Sequence, residues 1–276
     1  VHRDGYQSSL SIESELAWLM ALRRDPDLPI PEPVPGRDGK LLQCFDGPEG
    51  EQMVVLFHHI AGSEPTPDGD LGDIFFKLGG YAATLHNHVG DWRKPPGFKR
   101  QVWEAATILD ADGLWGDWRV SPGVNAQNRP ILDRLDATLW LRLADYGVGP
   151  DRYGLIHADM RLGNLLVDGD RLTLIDFDDC GFCWFAYDFA AAISFHETSP
   201  MIPGLKARWL QGYQAIRPLG AEDLAAIDAM IMLRRMALLA WIGSHAETAL
   251  AQQHMPGYAE GTVQLAERYL RGNLWS

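Results

Sequence analysis

Apolar residues recur at helical spacing in SLSIESELAWLMALRRD, residues 9–25, where Ile12, Leu16, Leu19 and Met20 share a face and Ser9 or Ser11 supplies an N-cap. The period is then lost in PDLPIPEPVPGRDG, residues 26–39, whose five prolines predict a stiff connector without regular structure. Two strand-like runs follow, LLQCF at 41–45 and QMVVLFHHI at 52–60, with DGPEGE between them as a hairpin turn. A second break, AGSEPTPDGD at 61–70, separates this small β-rich part from the rest. Beyond it helical periodicity dominates, at 71–89, 99–110 and 128–146, and again at 187–197, 203–215, 221–250 and 256–271. The pattern predicts an α+β chain: a small β-rich lobe over residues 1–60, then a large mainly helical lobe over residues 61–276 with one β insertion.

That insertion carries the chemistry. In HADMRLGNLLVDGDRLTLIDFDD, residues 157–179, Leu165–Val167 and Leu172–Ile175 flank a turn at Asp168, Gly169 and Asp170. Pairing partners then sum to about 337–339, which brings Asn164 beside residues 173–175 and within a step of Asp176. An amide oxygen and a carboxylate facing one spot suit a hard divalent cation such as magnesium. Asp159, on the loop leading into the hairpin, approaches the same place without being a ligand. Phosphoryl transfer asks for such a set: metal against nucleotide phosphates, and a separate carboxylate to accept the proton of the attacking hydroxyl. Asp168 and Asp170 are solvated turn residues. Asp178 is open to two readings, a further metal or substrate contact or an exposed turn acid.

Composition narrows the partners. A formal charge of -13 and a pI near 5.0 disfavour nucleic acid and anionic membrane surfaces, and no apolar run is long enough to span a bilayer. Three cysteines do not make a secreted disulfide framework, so the cytoplasm is the default. Cys180 and Cys183 have the spacing of a metal pair, but no second pair completes a zinc site. His58 and His59 are adjacent and on a strand point to opposite faces. Arg234, Arg235, Trp209 and Trp241 are expected on helix surfaces and in helix packing, with Trp241 or His245 a further candidate for lining a substrate pocket.

The string His157-Ala158-Asp159, then Asn164, then Asp176-Phe177, followed twelve residues after Asp176 by Asp188 in YDFA, closely resembles the aminoglycoside phosphotransferase and choline kinase-like superfamily. VHRDGYQSSLSIESELAWL is also similar to homoserine kinase type II and stress response kinase A proteins. The resemblance implies a bilobal protein kinase-like fold and an ATP- and magnesium-dependent phosphotransferase. It makes Asp159 the catalytic base, His157 a residue that shapes the loop, Asn164 and Asp176 the magnesium ligands, and Asp188 a structural support below the loop. VVLFHHIAG, residues 54–62, resembles the hinge between lobes, at about 57–62. The main chain of His58 and Ile60 would meet adenine, with Phe57 at the back of the pocket. Glu15 matches the helix glutamate that pairs with the phosphate-holding lysine. The first lysine here is Lys40, in a turn, and no glycine-rich phosphate loop is present. The expectation is that strands preceding Val1 carry both.

Three functions follow from the resemblance and the net charge: transfer of the γ-phosphoryl group to a hydroxyl of a small polar, amine-bearing molecule; transfer to a protein serine or threonine; or nucleotide binding without catalysis. Helical sequence resuming by Asp188 leaves little room for a protein kinase activation segment, which favours the small molecule.

Overall fold

The computed structural model describes residues 1–3, 5–47 and 50–275. Helix α1 (Ser9–Leu22) is capped by Ser8, whose Oγ accepts the N–H of Ser11, so the cap precedes both serines expected from the sequence. Ile12 and Leu16 pack with Leu42 in a small cluster, while Trp18, Leu19 and Leu22 enter the main core. The helix is thus buried on two sides, and Met20, assigned to its apolar face by periodicity, is exposed.

The proline-rich connector is not wholly irregular. Strand β1 (Pro33–Val34) lies at the edge of a sheet ordered β1-β3-β2, with β2 (Leu42–Gly47) and β3 (Gly50–Phe57) antiparallel and Pro33 opposite Phe57. An edge strand tolerates proline because its outer side needs no donor. Pro48 and Glu49, within the turn expected from the sequence, lie outside the described residues, but Gly47 and Gly50 on either side of them are paired.

The chain continues through α2 (Gly72–Asp91), β4 (Gln101–Val102), α3 (Ala105–Leu109), α4 (Arg129–Tyr146), β5 (Tyr153–Ile156), β6 (Leu165–Asp168), β7 (Arg171–Leu174) and β8 (Gly181–Trp184). The helices α5 (Tyr187–Ala192), α6 (Ile202–Gln214), α7 (Ala221–Ser244), α8 (Ala249–His254) and α9 (Tyr258–Leu270) complete it. Where one helix was expected over 99–110, only α3 forms. Gln101 and Val102 instead pair in parallel with β8, which pairs antiparallel with β5. Side chains enforce the exchange: Arg100 Nε donates to the Cys180 carbonyl and Trp103 Nε1 to the Asp179 carbonyl, tying this segment to the start of β8.

Two helices end earlier than their apolar pattern. α5 stops at Ala192, short of Phe195 with φ 70°, and the run expected over 221–250 breaks after Ser244, where Thr248 caps α8. α2 and α6 meet backbone to backbone. A Cβ on Gly79 would lie 2.1 Å from the Trp209 carbonyl oxygen, and one on Gly212 would lie 1.9 Å from that of Phe76. Among the described residues no helix is long and apolar enough to cross a membrane.

Candidate active site

The β6–β7 hairpin sets the register of the site. Leu165 pairs with Leu174 and Asp168 with Arg171, and Gly169 takes φ 58° in the turn, a conformation glycine adopts without strain. The Ile175 N–H donates to the Asn164 carbonyl at 2.9 Å, so pairing runs one step further and leaves Asn164 beside Asp176.

The loop into this hairpin is held from three sides. His157 is fully buried; its Nδ1 accepts the Asp159 N–H at 3.2 Å, which leaves Nε2 to donate to the Ile175 carbonyl at 3.2 Å. Burial lowers its pKa, so the ring is a neutral tether between loop and hairpin. Ala158 adopts φ 65° and donates its N–H to Asp188 Oδ1 at 2.7 Å. Asp188 Oδ2 meets His86 Nε2 at 3.0 Å, and His86 Nδ1 meets the Tyr213 hydroxyl at 2.8 Å.

Both Asp159 carboxylate oxygens are engaged. Oδ2 accepts from Asn164 Nδ2 at 2.7 Å and Arg161 Nε at 3.3 Å, while Oδ1 accepts from Arg234 Nη2 at 2.5 Å. Burial alone would raise the Asp159 pKa, but Arg234 and then Arg161 hold it below the ordinary carboxylate range. Asn164 spends its amide N–H groups on Asp159, which leaves its Oδ1 without a donor among the described residues. Asp176, with φ 65°, opens onto the cleft. The protein enclosing its other sides, followed by the charges of Asp159 and Asp178, raises its pKa.

An amide oxygen and a carboxylate that repels its neighbours are hard oxygen donors, and a dication between them would relieve that repulsion. The donor set therefore fits magnesium. Among the described residues no three histidine, cysteine or acidic side chains converge on one point, so most of the ion's shell would come from phosphate and water.

Asp159, Arg161 and Asp176 line an 810 Å³ cleft, with Asn164 buried behind them. At one end stand Pro31, Val55, Phe57, His58 and Ile60. The His58 N–H is already bonded to the Glu32 carbonyl at 2.9 Å, so His58 offers its carbonyl, while the Ile60 N–H has no backbone partner among the described residues. Glu15 also lines the cleft. Its pKa is pushed up to about 7 by burial, because the Arg100 guanidinium, bonded to Ser11 and to the Asp178 and Cys180 carbonyls, reaches it only at 3.9 Å. Its Oε2 has no hydrogen bond among the described residues.

The other end is aromatic, with Asp179 as its acid and the Arg3 guanidinium 5.6 Å from the Tyr6 ring centre. Trp115, Phe195, Leu238, Trp241 and His245 line it with Tyr6 and Asp179. The Tyr6 hydroxyl donates to Asp179 Oδ1 and accepts from Trp115 Nε1 at 3.3 Å. Asp178, half-buried, faces His2 Nδ1 at 3.6 Å and also lines the cleft. Cys180 and Cys183 are buried free thiols.

Arg234 and Arg235 are not on the helix surface. They are 2% and 3% exposed, because each meets a buried carboxylate, Asp159 and Glu197 respectively. Charge made them look like surface residues, yet Arg234, Leu238, Trp241 and His245 follow a spacing of four, three and four that marks one face of α7. Trp115 and Asp179 carried no comparable signal.

Loop, hairpin and cleft together define a phosphotransferase of bilobal, protein kinase-like α+β fold. A family model described as phosphotransferase enzyme family (APH) matches residues 1–219, and the chain belongs to that family. A microcompartment-associated aminopropanol kinase is similar in structure at a TM-score of 0.91 and 42% identity, over 100% of this chain and 86% of that one. Homoserine kinase of Gluconobacter oxydans (strain 621H) is 27% identical over 259 residues, 88% of this chain and 77% of that protein. An amicoumacin kinase solved with AMP-PNP and Ca2+ shares the fold at a TM-score of 0.73 and 22% identity, over 94% of this chain and 78% of that one. The protein is a kinase-type phosphotransferase with a small-molecule hydroxyl acceptor.

Proposed function

We propose that this chain uses ATP with magnesium to phosphorylate the hydroxyl of a small amine-bearing molecule, with an amino alcohol as the best fit. The observation that carries the proposal is one cleft in which Asp159 faces a pocket walled by Trp115, Tyr6, Trp241 and Asp179. An ammonium group is drawn to aromatic faces by about 0.5–2 kcal/mol and more strongly to a partly desolvated carboxylate, so this pocket favours an amine over an uncharged alcohol. The similarity to an aminopropanol kinase supports the same class.

In this proposal residues 1–60 belong to the nucleotide-binding lobe, and residues 57–62 are the hinge. Adenine presents an amino donor and a ring acceptor; the free carbonyl of His58 and N–H of Ile60 complement them, with Phe57 beside the ring. Asn164 and Asp176 would hold magnesium, which when bound would neutralise charge on the phosphates. Asp159 accepts the proton of the acceptor hydroxyl as the new O–P bond forms and the bond to ADP breaks. A low pKa suits that role, because a loose transition state needs an ionised, aligned acceptor rather than a strong base. His157 tethers the loop.

The test is ADP release with ATP and Mg2+ over a panel of 1-amino-2-propanol, ethanolamine, homoserine, an aminoglycoside, propane-1,2-diol and a generic protein substrate. Turnover with amino alcohols and little with the diol is expected. Equal turnover of the diol would remove the amine from the proposal, and turnover of the protein alone would replace the acceptor. Asp159→Ala should abolish turnover while nucleotide binding persists.

A further inference from the structure

We infer that Arg234 is a positioning residue for the proton-accepting carboxylate, through which α7 couples the acceptor pocket to Asp159; the inference rests on Asp159 being the base. Arg234 lies outside residues 1–219 matched by the family model. Its planar guanidinium is fixed at all three nitrogens: Nε donates to Ser194 Oγ at 2.9 Å, Nη1 to the Ala158 carbonyl at 3.2 Å and Nη2 to Asp159 Oδ1 at 2.5 Å. One side chain therefore fixes both the backbone before Asp159 and the carboxylate itself.

The bonds also divide the work of the two carboxylate oxygens. Oδ2 already takes two donors, Asn164 and Arg161, whereas Oδ1 takes one, from Arg234. A carboxylate oxygen accepts about two hydrogen bonds, so Oδ1 keeps the lone pair available to an acceptor hydroxyl. Rotation of the carboxyl group would exchange the two oxygens. Arg234 opposes that rotation from the side opposite Asn164.

The coupling to the pocket follows from helix geometry. Leu238, Trp241 and His245 continue the face of Arg234 and line the acceptor end, while the Trp115 ring, part of the same wall, lies 5.0 Å from the Arg234 guanidinium carbon. A molecule packed against that wall presses on the elements that hold Arg234. A residue kept only to balance a buried charge would affect stability and leave the chemical step alone.

The test is steady-state kinetics with ATP and 1-amino-2-propanol on the full chain, with Tm and ATP affinity measured alongside. Arg234→Met should lower kcat by about 100-fold, the scale of a misplaced reacting group, while ATP affinity is retained. Arg234→Lys, keeping the charge without the fork, should recover only part of that loss, and Ser194→Ala, which frees Nε alone, should lower kcat about threefold. A folded Arg234→Met with wild-type kcat overturns the inference. Where Arg234→Met does not fold, wild-type kcat in both Arg234→Lys and Ser194→Ala overturns it. No turnover by the wild type, or turnover retained in Asp159→Ala, overturns the assignment of the base, and the inference with it.

Discussion

Asp188 Oδ1 accepts the backbone N–H of Ala158 at 2.7 Å, and Ala158 holds φ 65°, a conformation that disfavours any residue with a Cβ. A fully buried carboxylate thus sustains the strained residue next to Asp159, and His86 and Tyr213 complete the chain behind it. Asp188→Ala leaves the Ala158 N–H and the His86 ring nitrogen without partners and should cost about 3 kcal/mol in urea unfolding, with loss of activity. Asp188→Asn should cost much less. Its oxygen still accepts from Ala158, and its amide can donate to His86 Nε2 if the ring moves its proton to Nδ1 and donates to the Tyr213 hydroxyl. Equal losses for the two variants would argue against this account.

Glu15 provides a pH-dependent stability term of known sign. Its pKa of about 7 in the folded protein lies above the ordinary value of 4.5, so between those pH values the folded state binds more protons than the unfolded chain. The Glu15 contribution is fully present below about pH 4.5 and is lost as pH rises through 7. Glu15→Gln, which cannot ionise, should match wild type at pH 4.5 and exceed its unfolding free energy by about 3 kcal/mol at pH 8. A difference independent of pH would show that Glu15 is neutralised by a closer partner than Arg100.

The elements legible in the sequence were those decided locally. The β6–β7 register followed from one glycine turn and two apolar runs, and it alone brought Asn164 and Asp176 together. What escaped was decided by distant partners. β4 and β8 are short strands whose pairing depends on Arg100 and Trp103 reaching the 179–180 backbone, a contact without a local pattern. Arg234 and Arg235 depart from the local pattern for the same reason, since a guanidinium is placed inside only by a carboxylate far along the chain, Asp159 at 75 residues and Glu197 at 38. Asp179 was hidden by its neighbour Asp178 until the Tyr6 contact set it apart.

Arg235 makes the contrast with Arg234 testable. It donates to Glu197 Oε2 at 2.6 Å, Thr262 Oγ1 at 2.9 Å and the Tyr258 carbonyl at 2.9 Å, with its guanidinium 3.4 Å from the Tyr258 ring centre. All of these partners are buried, and none lines the cleft. Glu197→Ala should therefore cost about 3–5 kcal/mol by stranding a buried cation. At a temperature where the variant stays folded, its kcat should match wild type. A kcat loss on the scale of Arg234→Met would place this pair in the catalytic path.

Asp179 should set the pH dependence of acceptor binding. Burial, then the charge of Asp159, pushes its pKa up to about 7, while the Tyr6 hydroxyl bond opposes that rise. An alkylammonium group remains protonated to about pH 10, so over pH 6–8 the side chain that changes charge is the carboxylate. KM for 1-amino-2-propanol should fall as pH rises through 7, because ionised Asp179 pairs with the ammonium and the protonated form does not. Asp179→Asn should raise that KM by about tenfold or more at pH 8 and remove this inflection, with KM for ATP unchanged. Tyr6→Phe deletes the bond that favours the ionised form and should move the inflection to higher pH. An unchanged acceptor KM in Asp179→Asn would mean that the ammonium is held by the aromatic walls alone, and substitution of Trp115 and Trp241 would then carry the whole effect.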